Sequence, residues 1–145
     1  MAIMKPIQSK ALFMGRLKHG SDLLEEITDF CTQKDVRLGR INAIGAVQKA
    51  RIGFYNQKTH EYQFLDLNRP FEITQLTGNI SIKDGRPMVH AHITLADEKG
   101  NCFGGHLAPG TIIFACELIL EIFDGPVFKR GYDEATGLTL WEMGG

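Results

Sequence analysis

At 145 residues, with 43% hydrophobic and 23% charged residues, the chain has the length and balance of one globular domain that can bury its own core, and not of a disordered tail or a coiled coil. A formal net charge of -1 and a pI near 6.5 exclude the strongly basic footprint of proteins that bind nucleic acid by neutralising phosphates, leaving only a local patch for that purpose. Cys31, Cys102 and Cys116 are odd in number and no leader pattern is evident, and the longest apolar stretch, Thr111 to Phe123, is short and carries Glu117 and Glu121, so the expected setting is the cytoplasm, with neither a disulfide framework nor a membrane span.

Lys10 to Leu17 reads as a first strand. Ser21-Asp22-Leu23-Leu24-Glu25 then opens a helix, with Ser21 or Asp22 as the cap and Glu25 three residues after Asp22, as in a capping box. Leu23, Leu24, Ile27, Phe30 and Cys31 fall on one helical face, and Asp35 lies near the helix end. From Val36 onward short β-rich runs alternate with turn residues, the texture of a mostly antiparallel sheet. Strands are expected near Val36 to Ile44, Ala50 to Asn56, Glu61 to Asp66, Phe71 to Ile82, Pro87 to Leu95 and Thr111 to Phe123. Hairpin turns fall at Asn56-Gln57-Lys58-Thr59 and Lys83-Asp84-Gly85-Arg86. In the last strand Ile112, Phe114, Cys116, Leu118, Leu120 and Ile122 share one apolar face, with Glu117 and Glu121 on the other. No repeat or linker divides the chain. The expectation is one α+β domain over residues 1–145, mostly antiparallel β-sheet with one main helix near the N-terminus.

Val89-His90-Ala91-His92-Ile93-Thr94-Leu95 alternates with period two, which puts His90, His92 and Thr94 on one strand face and the apolar residues on the other. Glu98-Lys99-Gly100 has the chemistry of a three-residue hairpin loop, with Gly100 in the left-handed position. Asp97 then stands opposite Asn101, Phe103 opposite Leu95 on the core face, and His106 opposite His92, unless Gly104-Gly105 bulges the strand and shifts the register. Three converging neutral imidazoles are the donor set of a borderline metal such as zinc (Zn²⁺), leaving a fourth position for water or substrate; Fe²⁺, Ni²⁺ and Mn²⁺ also suit it. The alternative is three histidines on a solvated sheet face, each bonded to water or to a carboxylate. Cys102, opposite Ala96, reads as structural, and His19 and His60 as surface residues. Glu117 and Glu121 either orient the imidazoles or join a subunit contact, or else face water at a sheet edge.

Arg69-Pro70-Phe71-Glu72-Ile73-Thr74-Gln75-Leu76-Thr77-Gly78, His90-Ala91-His92-Ile93-Thr94-Leu95-Ala96-Asp97 and Gly100-Asn101-Cys102-Phe103-Gly104-Gly105-His106-Leu107 resemble the successive signatures of the plants and prokaryotes conserved (PPC) domain. Ile41-Asn42-Ala43-Ile44-Gly45-Ala46-Val47 resembles its earlier glycine-containing strand. The resemblance covers nearly the whole chain and implies an α+β fold and a homotrimer. In plants the domain follows an AT-hook, an arginine motif that enters the minor groove. Stand-alone members are described as candidate DNA-binding proteins, and several are similar to metal-site proteins with histidines at the positions of His90, His92 and His106. Gly85-Arg86-Pro87 resembles the hook's core but lies in a turn, after Asp84 and without flanking basic residues, so the DNA-binding label transfers weakly.

Three functions fit these observations. The chain is a trimeric metal-binding domain; or a DNA-associated regulator that binds weakly through a surface assembled from three subunits; or a metal-dependent hydrolase or lyase acting on a small molecule, with Glu72 or Glu117 as base. No Ser/His/Asp arrangement, phosphate-cradling loop or dinucleotide fingerprint names a reaction or its catalytic residues.

Overall fold

In the computed structural model, which describes residues 2–144, Asp22 starts the one helix found among the described residues, α1 (Leu23–Gln33). Its carboxylate accepts from the Leu24 and Glu25 backbone N–H groups at 3.0 and 3.1 Å, satisfying two donors that the helix itself leaves free. The second carboxylate oxygen accepts from Gly110 N at 2.6 Å, which ties the helix start to a distant loop. Leu23, Ile27 and Cys31, spaced one turn apart, are fully buried against the sheet.

The strands are β1 (Gln8–Leu17), β2 (Gly39–Asn56), β3 (Glu61–Leu67), β4 (Phe71–Lys83), β5 (Arg86–Ala96), β6 (Cys102–Leu107), β7 (Ile112–Asp124), β8 (Arg130–Tyr132) and β9 (Thr139–Trp141). The first seven form one antiparallel sheet in the order β1-β7-β2-β4-β5-β6, with β3 also paired to β2. Strand β6 returns to β2 through Ile52 opposite Leu107 and Gly53 opposite His106, so β2, β4, β5 and β6 close into a ring. One face, covered by α1, holds Ile41, Ile80, Ala91, Ile93, Leu95, Leu118 and Leu120 in the core; the other is the outer face. No helix among the described residues is long and apolar enough to cross a membrane.

The sequence expectations need two corrections. The separate strands at Val36 to Ile44 and Ala50 to Asn56 are one strand, β2. Its first half lies between β7 and β4, and its second between β3 and β6. Gly45 keeps it continuous: at φ 152° it lies so close to β7 that a Cβ would fall 2.8 Å from the Cys116 Cα. Opposite, β7 does not keep one apolar face: a shift in its pairing with β2 between Ala46 and Val47 buries Ile113 and leaves Phe114 58% exposed. In addition, β8 and β9 pair as a small hairpin beyond the expected strands; Ile82 N donates to the carbonyl oxygen of the buried Phe128 at 2.9 Å, and Trp141 packs edge-on against the Phe128 ring.

Candidate metal centre

The hairpin between β5 and β6 forms as its loop residues require. Asp97 N donates to Asn101 O and Gly100 N to Asp97 O, both at 3.0 Å, with Gly100 at φ 79°. The Asp97 side chain accepts from the Lys99 and Asn101 backbones at 2.9 Å, which pins the turn. The register then runs Ala96 opposite Cys102, Leu95 opposite Phe103, and on without interruption to His92 opposite His106. Gly104 and Gly105 do not shift it. Gly105 instead lets β2 approach, since a Cβ there would lie 2.7 Å from the Gly53 carbonyl oxygen.

His90, His92 and His106 therefore meet on the outer face. Their ring centroids lie 5.1, 5.2 and 5.6 Å apart, and one ligand nitrogen from each falls within 4.8 Å of the others, a grouping that could hold a metal ion. His106 Nδ1 is buried without a hydrogen-bond partner, the condition of a nitrogen reserved for a ligand. Burial first, and then the charges of Arg130, His106 and His92, push His90 down to about 4; burial and His92 lower His106. Both rings are accordingly neutral at pH 7 with lone pairs free, which is the form that ligates metal. The chemistry of the donor set and the orphaned nitrogen fit a borderline divalent metal.

Other elements enclose the cluster. The Tyr62 ring, on β3, packs 4.9 Å from His106 and stacks on Phe64. Asn79 and Thr77, on β4, stand directly opposite His90 and His92. From β8, Arg130 Nη2 donates to Asn79 Oδ1 at 2.8 Å, Nε to the buried Ser81 Oγ at 2.8 Å, and Nη1 to Thr139 O at 3.1 Å. Tyr62 and Arg130 are site neighbours that sequence reasoning misses. Tyr62 reaches His106 only through the pairing of β2 with β6, distant in the chain, and Arg130 lies in a strand of three residues, too short to show a period.

The glutamates considered from sequence do not join the imidazoles, and the group contains no carboxylate. Glu121 binds Arg40 at 2.6 Å, and hydrogen bonds from Ser9 and Arg40 hold its carboxyl below the usual range. Glu117, opposite Ile44 and Arg16, lines an outer groove of about 540 Å³ with Met14 and Ile119, while Glu72 pairs with Ala46 and Ala96. Cys102 donates weakly to Gly100 O at 3.7 Å. His19 is exposed and bonds the Phe114 carbonyl oxygen at 2.7 Å, and His60 is exposed and stacks on Tyr55.

A curled antiparallel sheet with one helix inside and three clustered imidazoles outside defines a β-rich α+β domain with a site that could hold a metal ion. Residues 4–124 match the Plants and Prokaryotes Conserved (PCC) domain, and the chain belongs to that family. It is similar to the metal-containing protein of Archaeoglobus fulgidus, at 39% identity and a TM-score of 0.91 over 95% of this chain and 97% of that one. It is also similar to a candidate DNA-binding protein of Bacteroides thetaiotaomicron, at 26% identity and a TM-score of 0.85 over 94% and 97%. Among curated proteins it resembles the bifunctional protein GlmU of Synechococcus sp. (strain JA-3-3Ab), at 34% identity over 134 residues, 91% of this chain and 20% of that one. The chain thus spans about a fifth of the length of the curated relatives it matches.

Proposed function

We propose that the chain is a metal-binding domain, one unit over its 145 residues, in which His90, His92 and His106 hold zinc or another divalent transition metal. The observation that carries this reading is the convergence of three nitrogens within 4.8 Å, with His106 Nδ1 left unpartnered in a buried setting. The Archaeoglobus relative, itself metal-containing, supports it. When bound, the metal supplies Lewis acidity at an open position. The chain's own residues orient and shield: Asn79 and Thr77 flank the rings, and Tyr62 excludes water from His106. No residue is assigned to a catalytic step. Elemental analysis of protein made without a His-tag tests the site. About one metal per chain is expected, lost on His90→Ala, His92→Ala or His106→Ala and kept on His19→Ala or His60→Ala. Metal retained by His106→Ala would refute the constellation.

Three copies assembling through the outer face complete this reading. Leu12 and Met14 of β1, Ile119 of β7 and Ile44 of β2 leave a contiguous apolar surface there, with Met14 at 83% exposure, more than a solitary domain of this size needs to show water. The setting is the cytoplasm, consistent with three free cysteines. A second reading, DNA association through the assembled oligomer, is favoured by the Bacteroides relative. With a net charge of -1 per chain, that binding is weak, without sequence preference, and fades steeply with salt. Tight, sequence-selective binding at physiological salt would show that the assembled surface, and not the isolated chain, sets the affinity.

A further inference from the structure

Arg130 is a half-buried cation with no counter-charge. Among the described residues no carboxylate pairs with it, and its three hydrogen bonds go to neutral oxygens on Ser81, Thr139 and Asn79. A guanidinium carries five N–H groups, so one on each terminal nitrogen remains to be used. One of its faces is covered by the Trp141 ring, 5.5 Å from the guanidinium carbon. Its position is fixed toward the imidazoles, because Asn79, which receives its Nη2 bond, is the direct cross-strand neighbour of His90.

We infer that Arg130 makes the open position of the three-histidine site a receptor for a small molecule bearing an oxyanion, a carboxylate or a phosphate group, shared between the metal and the guanidinium. This rests on the metal reading above. Three neutral imidazoles leave the full charge of a divalent ion in place, and the group holds no carboxylate to offset it. Adding a nearby guanidinium makes a partly buried concentration of positive charge, which is costly unless an anion joins it. The planar fork of arginine matches carboxylate and phosphate oxygens, and its hydrogen bonds to them are charge-assisted. A purely structural role, fastening the β8–β9 hairpin to β4, would leave anion affinity untouched.

The test uses the full chain loaded with Co²⁺, whose visible absorption reports a change of ligand at the open position. Inorganic phosphate and acetate are titrated separately at constant ionic strength into wild type, Arg130→Met and Arg130→Lys. Wild type is expected to give a saturable spectral change with at least one anion. Arg130→Met should weaken it at least tenfold while binding Co²⁺ as tightly as wild type or more tightly, since a repelling charge has gone. Arg130→Lys, which keeps the charge without the fork, should weaken it about threefold and stands in if the Met variant does not fold. A response to phosphate alone assigns a phosphate ester, and one to acetate alone a carboxylate. Cobalt uptake with no spectral response to either anion, or with equal anion affinity in wild type and whichever variant folds, overturns this inference alone. Absence of cobalt uptake by wild type overturns the metal reading, and this inference with it.

Discussion

Replacing Gly78 with Ala should both destabilise the domain and weaken the site, for one geometric reason. Gly78 on β4 faces Ala91 on β5, the residue between His90 and His92. A Cβ at Gly78 would lie against the His90 carbonyl oxygen, 2.8 Å from the Ala91 Cβ and 2.9 Å from its Cα. Carbon atoms pack best at about 3.5–4.0 Å, so the strands must part by roughly 0.7 Å at that point. Overpacking of this kind costs about 1–3 kcal/mol, offset by roughly 0.5–1 kcal/mol because alanine has less freedom to lose from the unfolded chain. The net expectation is a loss of about 1–2 kcal/mol in urea unfolding of the metal-free protein. A shift of that size also exceeds the roughly 0.2 Å tolerance of metal–ligand distances, so zinc affinity measured by chelator competition should fall about tenfold or more. Gly15→Ala is the control: nothing lies within 4 Å of its Cβ, and stability should hold or rise. If Gly78→Ala unfolds within 0.5 kcal/mol of wild type and binds zinc equally well, the close β4–β5 approach is not what sets the imidazoles, and the reasoning fails.

Asp22→Ala removes three accepted hydrogen bonds at once, to Leu24, Glu25 and Gly110, and should cost about 2 kcal/mol in urea or thermal unfolding; a loss below about 0.5 kcal/mol would show that the cap is idle. Metal-free protein should lose stability as pH falls from about 6.5 toward 4, because unfolded His90 takes up a proton that folded His90 refuses until about 4; below that the effect stops growing. Allowing for solvent screening, the loss is about 1–2 kcal/mol, and the same slope in His90→Asn would assign it to another group. Ile119→Glu, in the outer face, should reduce the mass seen by light scattering from three times 16.2 kDa to one chain, and a wild-type mass of 16.2 kDa would remove the trimer reading.

The imidazole cluster was legible in the sequence because local rules fix it. Alternation puts His90 and His92 on one face, and the loop chemistry of Asp97 through Gly100 sets the register that brings His106 across. What lay beyond local rules was missed. Gly45, Gln48 and Lys49 look like a break between strands, yet β2 runs through them, because β7 stays paired as far as Lys49, β3 takes over at Ala50, and Gly45 admits the close backbone of β7. The Arg40 partner of Glu121 could not be found without the β2–β7 register, which skips most of the chain. Arg130 belongs to strands of three residues, too short to show any period, and reaches the site only because Phe128 and Trp141 anchor that hairpin.

All three imidazoles come from a single β-hairpin, whereas Tyr62 arrives on β3 and Arg130 on β8. Donors and surroundings are therefore encoded in separate stretches of the chain. Substitutions in β3 or in the C-terminal hairpin can change what surrounds the cluster without disturbing the turn that gathers the nitrogens. Substitutions in the Asp97 turn would move the nitrogens without altering the surrounding walls. Such a layout lets one scaffold vary the walls around its imidazoles by drift in the periphery while the centre stays constant.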